Sequence, residues 1–437
     1  MPSTPSTSPR TSDIDRATRK RIGPYSDSGL PDLSSFAPDT NFLVRASAGA
    51  GKTTALIARI EALVRKGTPI GTIAAITFTR KAAGEMKARL FERFQEVQAH
   101  ANGKEATRLE AARDALDQCF VGTIHSFCVR ILRAFPLRAG LPPDFAMETD
   151  ALPLQRLRDE AWARHLESTY EDHQEDFRAL LDTGTDPADL RPMYEELAKY
   201  PDLEAHISEQ ASKPDLTEAV EQTIAFVEKW AAYFPDPAPP EGACNVIDGF
   251  RSILRQHAHY PPQTEQERAA LLSTMADLTK KDGRVGTDTE RRADLTQNAW
   301  EPNKDDAKRL DDHELVFFLE RHVEPALNQW RAYVHRLCTQ LAVGGRERLI
   351  ALRKERGVLS SSDVLYHTRN LLRDNPDVRA HWQAQYDDCP RLLVDEFQDT
   401  DPLQAEILFY LTSTHRRETN WRATNPKPGS LFVVGDD

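Results

Sequence analysis

Two short stretches of this chain hold residues in the order that phosphate chemistry requires. Residues 43–60 read LVRASAGAGKTTALIARI: an apolar run, a loop of small residues closing in Gly51-Lys52-Thr53, and an amphipathic segment. Ala46, Ser47, Ala48, Gly49, Ala50 and Gly51 lack the bulk that would keep backbone N–H groups from wrapping a phosphate, and a helix starting at Lys52 would aim its positive N-terminal end at the same place. Lys52 adds a point charge for the outer phosphates, Thr53 offers a hydroxyl to the Mg²⁺ that accompanies ATP or GTP, and Thr54 completes the binding turn. Ala46 stands where the strict form of this pattern has Gly, so the match is to the looser form. The second stretch, Arg391-Leu-Leu-Val-Asp-Glu-Phe-Gln-Asp-Thr400, is an apolar strand candidate ending in adjacent acids. Asp395 is suited to hold Mg²⁺ and Glu396 to orient or deprotonate an attacking water.

The elements that would position these groups follow from the apolar pattern. Short apolar runs at 42–44, 73–78, 120–124, 391–394 and 431–434 predict buried parallel strands, and the first four lead into helical patterns. That alternation predicts an α/β fold with a doubly wound sheet and ligands at the carboxyl ends of its strands. Leu56, Ile57, Ile60, Leu63 and Val64 give the helix after the loop its apolar face, and Gly67 stops it. Asp401, Pro402 and Gln404 predict a helix start with a capping box, which would hold the acidic turn in place.

From about residue 145 to 358 the sequence is acidic, helix-rich and without a chemical motif. Val323, Leu327, Trp330, Val334, Leu337 and Leu341 step by four and three, the stripe of a packed helix. The expected organisation is a tail and leading helix over 1–36, an α/β domain in two parts over 37–144 and 359–437, and an inserted helical domain over 145–358.

With 437 residues, 40% hydrophobic and 28% charged, the chain has the composition of an ordinary globular protein. No apolar stretch reaches membrane-spanning length, and the Ser/Thr/Pro-rich start lacks a signal-peptide core, so a cytoplasmic, non-membrane protein is expected. Five scattered cysteines predict reduced, structural thiols. The net charge of −12 is uneven: residues 1–140 hold 21 Lys+Arg against 13 Asp+Glu, so the half with the glycine-lysine loop is basic. That is compatible with a local phosphate-binding face on an acidic protein.

Five segments together resemble a known family: residues 46–53 (ASAGAGKT), 76–86 (ITFTRKAAGEM), 122–127 (GTIHSF), 394–400 (VDEFQDT) and 433–436 (VVGD) are similar to successive motifs of UvrD/Rep-type superfamily 1 DNA helicases, closest to the RecB and AddA branch. The resemblance covers about residues 13–141 and 360–436, and the insert matches in placement and helical character only. It implies a RecA-like P-loop sheet, ATP and Mg²⁺ as cofactors, and a 3′ to 5′ translocase acting on single-stranded or partly duplex DNA in repair or recombination. It also implies partner subunits of a helicase–nuclease complex. Thr77, Phe78, Thr79, Lys81, Thr123, His125 and Ser126 match positions that contact DNA in the family, and Gln398 matches one near the γ-phosphate. Hydroxyls, a lysine and an imidazole can bind phosphates, and Phe78 or Phe127 can offer a stacking face. His125 reads equally as a hydrogen-bonded core histidine, and Phe127 as a helix-packing residue.

Two departures qualify the resemblance. Arg16 stands where the family has an adenine-reading glutamine, and a guanidinium donates but cannot accept. Asp437 stands where the family continues with proline toward a second motor domain that supplies an arginine, so the expectation is the N-terminal part of a longer motor with weak unwinding of its own. Two other readings stay open: a nucleotide-responsive DNA-binding module without turnover, and another P-loop enzyme such as a nucleotide kinase.

Overall fold

The structure is a computed structural model that describes residues 38–45, 51–203, 211–281, 291–387 and 389–436. The predicted tail and leading helix over 1–36 lie outside these residues. By its internal contacts the chain divides into two compact units, one of residues up to Asp150 together with those from Arg353 on, the other Ala151–Leu352.

The first unit is built on five parallel strands. They are β1 (Phe42–Arg45), β2 (Ile73–Thr77), β3 (Phe120–Thr123), β4 (Arg391–Val394) and β5 (Leu431–Gly435), in the spatial order β1-β5-β4-β2-β3. The α/β expectation therefore holds, and each predicted strand is present, although β2 ends one residue before Phe78 and β3 one before Ile124. Alternate strand residues face opposite sides. Ala74, Ile76, Leu392, Val394, Leu431 and Val433 enter one core, while Ile73, Ala75, Leu393, Phe432 and Val434 enter the other. Helices α1 (Lys52–Arg65) and α2 (Arg80–His100) cover the second face. Helices α3 (Ile124–Ala134), α4 (Ser361–Asp374), α5 (Pro376–Ala384) and α6 (Pro402–Thr412) cover the first. Coverage of both faces is why the strands read as unbroken apolar runs instead of alternating ones.

The register brings the strand ends into line. Arg45 pairs with Gly435, Val433 with Val394, Val394 with Ile76, and Thr77 with Thr123. The segments that follow β2, β3 and β4, and Asp436 after β5, thus leave the sheet along one edge, which is where a doubly wound fold places its ligands.

Two further strands of two residues each, Ala146–Met147 and Val358–Leu359, pair in parallel and join the chain before and after the second unit. Beside them, Arg353 and Asp363 form a buried ion pair with Nη1 to Oδ2 at 2.9 Å, both side chains at most 2% exposed. The same Asp363 oxygen accepts from the Ser360 N–H at 2.8 Å and its hydroxyl at 2.7 Å, closing the capping box of α4. Asp363→Ala should cost about 3–5 kcal/mol, because it strands a buried guanidinium and uncaps a helix. Urea unfolding checks this, and the apolar double replacement Arg353→Met with Asp363→Leu should recover most of the loss.

The second unit is mainly helical. Val220, Val227, Trp230, Val246, Ile247, Phe250, Leu271 and Leu272 form its core with Leu315, Leu319 and Val323. The predicted stripe lies on the helix Glu324–Arg356 and the turn before it. Val323, Leu327, Leu337 and Leu341 are buried, while Trp330 and Val334 are half-buried. A short antiparallel pair, Thr279–Lys281 with Arg291–Ala293, is an element the helical reading did not contain.

Among the described residues no helix is long and apolar enough to cross a membrane. The five cysteines are free, and burial pushes the Cys119 and Cys128 thiols up to about 12, which keeps them unreactive.

Candidate functional site: a phosphate-binding edge

Lys52 opens α1 immediately after Gly51, whose left-handed backbone (φ 87°) turns the chain from loop into helix. A side chain there would be strained, which accounts for the glycine. The Lys52 ammonium is nearly enclosed at 9% exposure and sits between two carboxylates, Glu396 Oε2 at 2.8 Å and Asp436 Oδ1 at 2.5 Å. Hydrogen bonds to Asp436 and then Glu396 raise its pKa well above the lysine range, so it is a permanent cation. Thr53 and Thr54 follow in the first turn, half-buried. Ala46, Ser47, Ala48, Gly49 and Ala50 lie outside the described residues, as do Arg16 and Asp437.

Glu396 is held in a left-handed conformation (φ 51°, ψ 47°), unusual for a residue with a long side chain. Such strain persists where surrounding contacts impose it, commonly at functional turns. Here the Glu396 carboxylate is fixed from both sides, by Lys52 and by the Gln398 amide, which donates from Nε2 at 2.6 Å. These two bonds, Lys52 first, hold its pKa below the ordinary carboxylate range. It is therefore ionised and able to accept a proton. Gln398 Oε1 in turn accepts the Asp436 N–H at 2.9 Å. Gly435 leaves room for that amide, since a Cβ built there would lie 2.8 Å from Gln398 Oε1.

Asp395 extends the sheet through its N–H to the Ile76 carbonyl at 2.9 Å, and its carboxylate accepts the Glu396 N–H at 3.0 Å. Burial raises its pKa despite that bond and nearby Lys52. A half-buried carboxylate with a raised pKa gains from a nearby cation, which fits a Mg²⁺ ligand. Its carboxylate oxygens are the hard donors that Mg²⁺ prefers. Sequence reasoning gave Asp436 no role; its place after an apolar strand, like that of Asp395, was the available signal.

Next to the acidic turn lies a cavity of about 110 Å³ lined by Ile76, Thr77, Phe78, Ile124 and His125 on one side and by Asp395, Glu396, Asp399, Thr400 and Gln404 on the other. The segments after β2, β3 and β4 therefore share one wall. Phe78 is 65% exposed with its ring available for stacking, whereas Phe127 is fully buried in the core against Phe120 and Trp382. Phe127 is thus a packing residue, and the stacking alternative for it fails. The Thr77 hydroxyl is buried and donates to the Thr79 carbonyl, and those of Thr79 and Thr123 cap α2 and α3. Thr77 and Thr123 are shaping groups in this state. Thr79, Lys81 and Ser126 are exposed. The helix start at Asp401 also differs in detail: its carboxylate accepts the Gln404 N–H at 2.7 Å, but the Gln404 amide returns to that carboxylate instead of to the backbone, so no capping box forms.

His125 is half-buried, and burial lowers its pKa more than nearby Asp401 raises it. The ring is neutral at pH 7 and gains a proton only below the ordinary histidine range near 6.5. The affinity of this edge for a phosphate-bearing strand, should one bind there, is accordingly expected to stay flat from about pH 8 to 6.5 and rise a few-fold below that, and His125→Gln to remove the rise. Fluorescence anisotropy across pH at constant ionic strength is the check. The same depression makes His125 stabilise the fold above pH 6.5, an effect lost as pH falls through its folded pKa.

The profile of the UvrD/REP helicase N-terminal domain matches residues 33–437. The chain belongs to that family. Among curated proteins the UvrD/REP chain is similar to an ATP-dependent helicase/nuclease subunit from Enterococcus faecalis, 24% identical over 438 residues, which cover 92% of this chain and 33% of the relative. It is 26% identical to the protein of that name from Latilactobacillus sakei, over 91% of this chain and 47% of the relative. For the one from Listeria innocua the figures are 26%, 92% and 34%. The chain thus spans about a third to a half of the length of the curated relatives it matches.

Proposed function

We propose that this chain is the ATP-binding motor part of a UvrD-like DNA helicase, with residues 145–358 inserted into the motor domain. ATP binds at the N-terminus of α1 and is hydrolysed there, and a DNA strand lies along the adjacent edge. The observation that carries this reading is the Lys52 cluster, a cation enclosed by two carboxylates at the start of a helix and tied through Gln398 to the end of β5. Incoming phosphate oxygens compete with Glu396 and Asp436 for Lys52 and so free the Glu396 carboxylate to orient water and accept its proton. Thr53 and Asp395 are the residues to hold Mg²⁺, which when bound neutralises developing phosphate charge. Gln398, bonded to both Glu396 and the Asp436 backbone, is placed to report that rearrangement to β5.

Phe78, Thr79, Lys81, His125 and Ser126 are the proposed DNA contacts, with Thr77 and Thr123 shaping them. The relatives carry names of helicase/nuclease subunits, which supports partner subunits for the whole protein and a role in repair or recombination.

The test is Mg²⁺-dependent phosphate release by the 437-residue chain with and without single-stranded DNA. Stimulation by DNA, reduced in Lys81→Gln with Ser126→Ala while the DNA-free rate stays unchanged, is the expected result. Hydrolysis indifferent to DNA, or phosphoryl transfer to an added nucleoside monophosphate, would overturn the motor reading.

A further inference from the structure

The loop between α6 and β5 is a basic surface segment that the motor reading leaves unused. Residues 413–430 read STHRRETNWRATNPKPGS, with Arg416, Arg417, Arg422 and Lys427 against the single acid Glu418, on a chain whose net charge is −12. β4 and β5 are parallel neighbours, so this loop must return to the edge where strands begin, and Arg391 at the start of β4 donates to its Pro428 carbonyl at 3.1 Å. The loop thus lies across the sheet from the Lys52 edge, roughly 15 Å of strand away.

The loop is a built surface. Gln383 of α5, 1% exposed, donates to the Leu411 and Ser413 carbonyls at 3.0 and 3.1 Å and accepts from Arg416 Nε at 2.8 Å, which fixes that guanidinium. Arg379 of α5, fully buried, donates to the Glu418 carbonyl at 2.8 Å and lies over the Tyr410 ring, while its Nε and Nη2 have no hydrogen-bond partner among the described residues. Backbone bonds from Thr414 to Asn425 and from Lys427 to Thr412 close the loop. Around His415, Arg416, Arg417 and Lys427, with the acid Glu418 also in its wall, it forms an open concavity of about 600 Å³. Arg417 is exposed and makes no ion pair among the described residues.

We propose that this concavity binds the phosphodiester backbone of a nucleic-acid strand, as a second contact separate from the nucleotide edge. Arg417, exposed beside the anchored Arg416, presents a planar guanidinium whose paired N–H donors match a phosphate, which favours phosphate over a diffuse acidic surface. The inference does not depend on the motor reading, since a strand could bind here on a protein that never hydrolyses ATP.

The experiment compares the 437-residue chain with its Arg416→Gln/Arg417→Gln variant by anisotropy of a labelled oligonucleotide, single-stranded and duplex, over a salt series. Both residues are exposed, and a fluorescent ATP analogue titrated in parallel confirms an intact fold at the far edge. Loss of two phosphate contacts should reduce the salt slope of log affinity by about 1.4 on single strands or about 1.8 on duplex, with ATP-analogue affinity unchanged. An unchanged slope would overturn the proposal, as would displacement of the parent chain's oligonucleotide by polyglutamate as readily as by unlabelled DNA. Loss of DNA-stimulated hydrolysis in the Lys81/Ser126 variant concerns the other edge and leaves this result untouched.

Discussion

Glu396→Gln is expected to bind ATP at least as tightly as the parent chain and to hydrolyse it about 10²–10⁴-fold more slowly, the range for loss of a general base. The amide keeps the size of the carboxylate and its hydrogen bond from Gln398, but it cannot accept a proton from water. Because Glu396 now occupies one side of the Lys52 ammonium at 2.8 Å, its neutralisation leaves Lys52 with Asp436 alone and eases the entry of phosphate. Single-turnover phosphate release together with titration of a fluorescent nucleotide separates the two effects. Turnover within a few-fold of the parent would remove Glu396 from the chemistry and point to another group as the proton acceptor.

Lys52→Ala should weaken both steps. The phosphates lose their point charge, so affinity falls, and the transition state loses electrostatic stabilisation typically worth about 10²–10³-fold in rate. The substitution also leaves Glu396 and Asp436 facing one another without the cation between them, so the Glu396 pKa should move back up toward the ordinary carboxylate range. Lys52→Arg is expected to rescue little: a planar fork does not fit the point-charge position between two carboxylates, although its charge is the same. Full recovery of turnover in the arginine variant would mean that Lys52 acts only through net charge.

The sheet and the chemical motifs were legible because a buried parallel strand is a solid apolar run and the residue after it is the ligand-bearing one. Asp395 and Glu396 could be named as candidates on that basis, and Lys52 and Thr53 from the small-residue loop that precedes a helix start. Less legible was everything set by contact across the sequence. Nothing local marks Glu396 as left-handed; that conformation follows from Lys52 and Gln398 holding its carboxylate. Phe78 and Phe127 look equivalent in sequence, yet one follows β2 at the open edge and the other faces inward on α3 beneath Trp382. The two-residue strands Ala146–Met147 and Val358–Leu359 are too short to leave a pattern, and the pair Thr279–Lys281 with Arg291–Ala293 is too polar to stand out from its helical surroundings. The Arg353–Asp363 ion pair was invisible for the same reason: each partner alone reads as a solvated charge.

The order of the strands sets a schedule for synthesis. Among the described residues β1 has one neighbour, β5, and the Asn41 side chain accepts the Leu431 N–H across 390 residues. At ribosomal rates of about 5–20 residues per second, β1 waits roughly 20–80 s for its partner. During that interval the apolar flanks of β1 and the face of α1 that packs near it have no sheet to complete. Chains in that window expose unpartnered apolar surface, and expression at lower temperature with added chaperone is expected to raise the soluble yield.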